Sequence, residues 1–95
     1  MFVTEEHLFL RPNADGTLGV GITDEGDSLM GGITYIDRLA DDEVSVEGVK
    51  ACLYIKIPVC GTLVMDGNTF ASGEPFAHYE PGYEIDMTKV KEGDE

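Results

Sequence analysis

Positive charge is what this sequence has least of. Six lysines and arginines stand against nineteen aspartates and glutamates, which gives a formal net charge of -13. A phosphate backbone requires clustered cations, and an anionic membrane surface would repel such a chain. The composition therefore excludes nucleic acid and membrane as leading partners and favours a protein partner with a basic surface.

Long apolar runs are also missing. No stretch approaches the roughly 18 residues of a membrane-spanning helix, and the first residues have neither the basic nor the apolar region of a signal peptide. We therefore expect a soluble, cytoplasmic protein. The 95 residues suffice for one small domain, which we place at residues 1–87, followed by a flexible acidic tail at residues 88–95.

Cysteine and catalytic motifs are scarce as well. Cys52 and Cys60 match no metal-binding spacing and would remain thiols in a reducing compartment, so we predict no metal site and no disulfide scaffold. His7 and His78 lie far apart, and the sequence has no nucleophile elbow, phosphate-binding loop or H-E-x-x-H motif. We predict a protein without catalytic activity of its own.

What the sequence does contain is a series of short β patterns separated by turns. Thr23 can cap a helix at Asp24–Met30, which Gly31-Gly32 would end, and residues 37–43 read as a polar loop. The predicted strands are residues 6–11, 17–22, 33–36, 44–47, 52–57, 62–65 and one closing strand within 73–87, with a turn at Asp66-Gly67-Asn68. Many short strands with one short helix indicate an all-β sandwich or flattened barrel.

Lys50 lies in the predicted turn at residues 48–51. After the turn, Leu53, Ile55 and Ile57 share one face of a strand in the period-two pattern of a half-buried sheet. A lysine between two such strands is either an ordinary solvated side chain or an attachment point for a group. These residues alone leave both interpretations open.

A set of motifs in a fixed order resembles the H protein of the glycine cleavage system, in a shortened form. The matching segments are TEEHLF at 4–9, with Phe9 where the family has tryptophan, VGITD at 20–24, GGITYI at 31–36, VEGVKA at 46–51 and PVCG at 58–61. Weaker matches are the Pro75-Phe76 pair and the EPGY segment at 80–83. Each segment alone is weak, whereas their order and spacing together are specific.

The resemblance implies a lipoyl/biotinyl-type flattened β-barrel sandwich, or barrel-sandwich hybrid, and a lipoyl group attached to Lys50. It also implies that Glu47, three residues before the lysine, and Gly61, eleven residues after it, guide the modifying enzyme. Val49 and Ala51 flank the lysine where biotin carriers have methionine, which favours lipoate as the cofactor.

By the same resemblance, the arm would shuttle an aminomethyl or acyl group, or electrons, between partner enzymes. The implied partners are a lipoate ligase or lipoyl transferase, dihydrolipoamide dehydrogenase, glycine decarboxylase and aminomethyltransferase. The chain is shorter than the family pattern between Ile36 and Lys50 and after Gly82. Three alternatives therefore stay open: a lipoyl relay for a non-glycine oxidoreductase system, an unmodified adaptor, and a thiol-redox protein using Cys52 and Cys60.

Overall fold

The computed structural model describes residues 1–67 and 73–93. Within them, the prediction of an all-β fold with one short helix is confirmed. The strands are β1 (Phe2–Thr4), β2 (Leu8–Pro12), β3 (Leu18–Ile22), β4 (Ile33–Ala40), β5 (Glu43–Gly48), β6 (Cys52–Lys56), β7 (Val59–Cys60), β8 (Leu63–Met65), β9 (Pro75–Tyr79), β10 (Glu84–Ile85) and β11 (Val90–Glu92). Helix α1 spans Asp24–Leu29, and a 3-10 turn spans Met87–Lys89.

The strands form three antiparallel sheets that are flattened and open, without closure into a barrel among the described strands. The largest sheet has the order β11-β1-β2-β3-β9-β8, the second has the order β4-β5-β6, and β10 pairs with β7. Buried side chains from the three sheets meet in one hydrophobic core. The fully buried ones with the largest volumes are Tyr79, Leu8, Leu10, Leu18, Ile57, Val20, Val44 and Val46.

Short-range signals set the position of the helix. The Thr23 hydroxyl accepts a hydrogen bond from the backbone N–H of Gly26 at 3.2 Å and caps α1 as predicted. Gly26 is buried, and a Cβ at this position would lie 2.7 Å from the Cβ of His7, so the helix rests directly on the turn between β1 and β2. In the described part of the chain, no helix has the length and hydrophobicity that a membrane span requires.

The predicted polar loop at residues 37–43 is wrong, because β4 continues to Ala40 and only two residues turn before β5. Asp37 lies opposite Ser45 in the ladder between these strands. Both side chains are polar because this face of the sheet is turned to solvent. A strand with a polar exposed face resembles a loop in the sequence, which explains the error.

Residues 88–92 of the predicted flexible tail instead lie in the 3-10 turn and in β11, which pairs with β1. β1 was not among the predicted strands. Val90 lies opposite Thr4, and the backbone N–H of Gly93 donates to the carbonyl of Met1 at 2.9 Å. Val90 is half-buried against the core, which gives this polar segment an apolar contact. Residues 94–95 of the predicted tail, like Asn68 of the predicted turn, lie outside the described residues.

The alternation predicted after the lysine turn holds only in part. Ile55 and Ile57 are buried, whereas Leu53 is 47% exposed although it shares their face. Leu53 lies opposite Val46, at the end of the sheet nearest the turn. The core therefore stops short of the Lys50 turn and leaves an apolar side chain at its base.

Tyr79 connects the two larger sheets. Its side chain on β9 is fully buried, and its hydroxyl donates to the backbone carbonyl of Asp41 between β4 and β5 at 2.5 Å. The Asp41 carboxylate accepts from Arg38 at 2.6 Å and from the backbone N–H of Leu63 at 3.4 Å. Burial, followed by the charges of Asp42 and Asp41, raises the pKa of Tyr79. The hydrogen bond from Arg38 is the main cause that lowers the pKa of Asp41.

Candidate site at the Lys50 turn

Lys50 lies at the tip of the β5–β6 hairpin, as predicted. The last ladder pair before the turn is Glu47 with Cys52, and the backbone N–H of Gly48 donates to the carbonyl of Ala51 at 2.8 Å. The connection is therefore tight, and Val49, Lys50 and Ala51 are all exposed. A turn of this kind projects its side chains away from the sheet.

The turn is fixed against the end of α1 by backbone hydrogen bonds. The N–H of Lys50 donates to the carbonyl of Met30 at 3.0 Å, and the N–H of Val49 donates to the carbonyl of Gly32 at 3.1 Å. The first bond satisfies the carbonyl of the helix C-cap residue, which has no partner within the helix, and the second joins the turn to the connection before β4. Gly48 fits closely, since a Cβ there would lie 2.6 Å from the Met30 carbonyl oxygen.

The connection between α1 and β4 is shaped to receive the turn. Gly31 has a φ of +71 and Gly32 a φ of +94, a left-handed conformation that glycine adopts without the cost a Cβ would add. The Asp27 carboxylate accepts from the backbone N–H of Ile33 at 3.0 Å and fixes the start of β4. The two glycines were predicted only to end the helix, and nothing in the sequence pattern predicted their contact with the lysine turn.

The Lys50 side chain runs over Gly31 into solvent. A Cβ on Gly31 would lie 2.7 Å from Cγ of Lys50 and 3.2 Å from its Cε, so the missing side chain makes room for the lysine stem. Within residues 1–67 and 73–93, no acidic side chain lies within ion-pair distance of its ammonium group. The amine is thus presented to solvent on a backbone that is held in place, which is the geometry that acylation requires.

Of the predicted site residues, Glu47, Val49 and Ala51 lie with Lys50 at the hairpin, and all three are exposed. The backbone carbonyl of Glu47 accepts from the Thr34 hydroxyl at 3.0 Å, which joins β5 to β4 beside the turn. The Glu47 carboxylate faces solvent on the outside of the sheet. Its part in guiding the modifying enzyme stays a prediction.

Gly61 lies elsewhere, in the connection between β7 and β8. Its φ is +151, and a Cβ at this position would lie 3.2 Å from the Cβ of Tyr83 and 3.4 Å from Cδ1 of Tyr79. The fold itself therefore requires glycine here. Glycine at this spacing from the lysine therefore has a structural cause, and its predicted part in modification is a separate hypothesis.

Replacing Gly61 by alanine separates these two causes. We expect a loss of about 1–3 kcal/mol in the free energy of unfolding, because the φ is strained for alanine and the Tyr83 contact is overpacked. At a temperature where the variant is fully folded, the structural explanation predicts that the lipoylation implied at Lys50 is as fast as in the wild type. Urea denaturation and a lipoylation time course measure the two effects, and slow modification of the fully folded variant would contradict the structural explanation.

The two cysteines do not form a pair. Both thiols are free and exposed; Cys52 lies on β6 opposite Glu47, and Cys60 lies on β7 opposite Glu84, in a different sheet. The thiol-redox alternative, which needs two cooperating cysteines, gains no support from this arrangement. Among the residues described, no cluster of histidine, cysteine and carboxylate side chains could hold a metal ion.

Comparison with known proteins gives a consistent result. No family model and no solved structure matches the chain. The chain is 32% identical over 100 residues to the glycine cleavage system H protein of Cronobacter sakazakii, covering 97% of this chain and 78% of the relative. It is 36% identical over 96 residues to that of Paraburkholderia phytofirmans, covering 93% of this chain and 75% of the relative. The chain therefore belongs to the glycine cleavage system H protein family.

Proposed function

We propose that this protein carries a lipoyl group in amide linkage on Lys50. The observation that supports the proposal most directly is the amine itself, which is exposed, unpaired among the described residues, and mounted on a turn that two backbone hydrogen bonds hold to Met30 and Gly32. Proteins of this family are non-catalytic carrier subunits of a multienzyme system, so the chain is a carrier and not an enzyme.

The residues around Lys50 fit a long acyl group on the amine. Acylation removes the positive charge, and the exposed position means that no ion pair among the described residues is broken in the process. Gly31 leaves space for the lysine stem, and Val49 and Ala51 place no polar group against it. When bound, the lipoyl group supplies a disulfide that can be reduced and can accept a group for transfer.

In this proposal the chain acts as a carrier, and different enzymes bind it in turn and act on the one tethered group. Tethering raises the effective concentration of the carried group at each partner. The proposed partners are a lipoate ligase or lipoyl transferase for loading, and glycine decarboxylase, aminomethyltransferase and dihydrolipoamide dehydrogenase for use, with an aminomethyl group and then electrons on the arm. A cytoplasmic location remains the prediction that accompanies this role.

The modification is tested by mass spectrometry of the intact protein. Incubation with lipoate, ATP and a purified lipoate ligase should add the mass of one lipoyl amide to the wild-type chain, because one lysine is presented at the turn. Lys50→Arg should abolish the gain, and Lys56→Arg, on the strand that follows the turn, should leave it unchanged. Absence of any gain with several ligases, or a gain that survives Lys50→Arg, would exclude the proposal.

The exposed apolar side chains beside the Lys50 turn favour a second role, as a lipoyl relay for another oxidoreductase system. Val49 and Leu53 are exposed beside the lysine. An aminomethyl load requires shelter from water, whereas electron transfer does not. Purified lipoylated protein that is reduced by dihydrolipoamide dehydrogenase but fails to support glycine decarboxylation would establish this role in place of the first.

A further inference from the structure

The outer face of the β4-β5-β6 sheet, the side turned away from the core, carries an unusual share of exposed apolar surface. Two tyrosines lie on it, Tyr35 at 48% exposure and Tyr54 at 73%. Only these two of the seven large exposed apolar side chains in the described chain are assigned to the outer face, although five of the seven belong to this sheet or its turn. These five are Tyr35, Leu39, Val49, Leu53 and Tyr54.

Acidic side chains alternate with the tyrosines on this face. One ladder row places Tyr35 beside Glu47, and the next row places Asp37 two strands from Tyr54, with Ser45 between them. Glu43 adds a third carboxylate at the far end of β5, opposite Lys56. We call this set, which is Tyr35, Asp37, Glu43, Ser45, Glu47 and Tyr54, the tyrosine face.

Cations on the tyrosine face are few and are placed at its edges. Lys56 is held 3.7 Å from the carboxylate of Asp42, so it neutralises acid at the end of the sheet farthest from the turn. At the other end stands Lys50, whose charge disappears on acylation. The centre of the face is therefore aromatic and acidic, a combination that attracts arginine and lysine through ring faces and carboxylates together.

We propose that the tyrosine face is the docking surface for the basic surface of the enzyme that acylates Lys50. This inference rests on the proposed function and adds where the enzyme binds and with what chemistry. The face extends to Glu47, the last residue of β5 in the ladder before the turn that bears the lysine. A second copy of this chain is a poor occupant, because each copy carries a net charge of -13.

The test compares lipoylation rates of two double variants with the wild type. Tyr35→Thr/Tyr54→Thr removes both rings and keeps residues that favour strands. Leu29→Ser/Met87→Ser removes two exposed apolar side chains elsewhere, at 61% and 56% exposure, and serves as the matched control. Each is assayed with purified lipoate ligase, after circular dichroism and a thermal scan have shown that the protein is folded.

We expect the tyrosine variant to lower kcat/KM for the chain about 5- to 30-fold, the loss of two exposed cation–π contacts, with kcat unchanged. The control should stay within about twofold of the wild type, as surface changes usually do. Asp37→Asn should lower the dependence of KM on salt more than Glu84→Gln, an exposed carboxylate on β10. Because Asp37→Asn removes no packed group, this variant also tests the face if the tyrosine variant fails to fold.

Each contrary outcome has a distinct meaning. Complete lipoylation of the tyrosine variant at the wild-type rate, or an equal loss in the control, overturns the docking inference and leaves the lipoyl carrier intact. No lipoylation of the wild type overturns the carrier proposal and the docking inference with it. A concentration-dependent dimer in gel filtration that Tyr35→Thr/Tyr54→Thr abolishes would assign the face to a second copy and also overturn the inference.

Discussion

Gly48→Ala should detach the Lys50 turn from the helix end. The added Cβ would lie 2.6 Å from the Met30 carbonyl oxygen, 2.8 Å from the Met30 Cβ and 3.0 Å from the Gly32 carbonyl oxygen. The first and last of these are backbone atoms that cannot rotate away, so the hairpin must move as a whole. That movement breaks the two hydrogen bonds from Val49 and Lys50.

We expect this change to lower the free energy of unfolding by about 1–3 kcal/mol, the usual cost of overpacking, which for a chain of this size is roughly 4–8 °C in Tm per kcal/mol. Hydrogen exchange at the amides of Val49 and Lys50 should become faster than that change in global stability explains. Lipoylation should slow, because the lysine loses its fixed orientation.

Ser45→Ala provides the control. It also introduces alanine into β5, but on the outer face of the sheet, away from the helix end. We expect it to leave Tm and the turn amides close to the wild type. Equal protection of the Val49 and Lys50 amides in both variants would show that the turn does not depend on its contact with the helix end.

The elements that could be predicted from the sequence are those whose signals lie within a few residues. Thr23 and the two glycines after α1 define the helix by their own chemistry, and the alternation of Ile55 and Ile57 reflects burial on one face. β11 could not be predicted, because its stability comes from pairing with β1 at the opposite end of the chain. Contacts between distant segments leave no local pattern in three residues.

The site follows the same rule. Lys50 and its neighbours in the turn could be predicted because the turn is local and the motif around it is specific. The support from Met30 and Gly32 could not, since hydrogen bonds between two loops depend on how the sheets are arranged. Gly61 illustrates the converse: a residue expected to serve recognition has a conformation that the fold requires.

Tyr79 connects the two larger sheets. Of the substitutions considered, removal of its side chain should lower the free energy of unfolding most. Tyr79→Ala leaves a cavity between the sheets, and we expect a loss of about 3–5 kcal/mol, as for other large aromatic residues in a core. Because small domains are stable by only about 5–15 kcal/mol, this variant should be near the limit of folding. Urea denaturation followed by circular dichroism measures the loss.

Tyr79→Phe isolates the hydroxyl, because the ring stays and only the hydrogen bond to the Asp41 carbonyl is lost. We expect a cost of about 0.5–1.5 kcal/mol at pH 7, because one part-buried hydrogen bond is lost. Burial raises the pKa of Tyr79 in the folded protein, whereas in the unfolded chain this pKa is about 10. Above about pH 10 the tyrosine therefore ionises in the unfolded chain and stays neutral in the folded one, and the wild type loses stability. Tyr79→Phe has no such group, and the stability difference between the two proteins should shrink as the pH rises above about 10, at about 1.4 kcal/mol per pH unit at most. A difference that stayed constant over that range would show that Tyr79 ionises equally in both states, and that the hydroxyl is not held between the sheets.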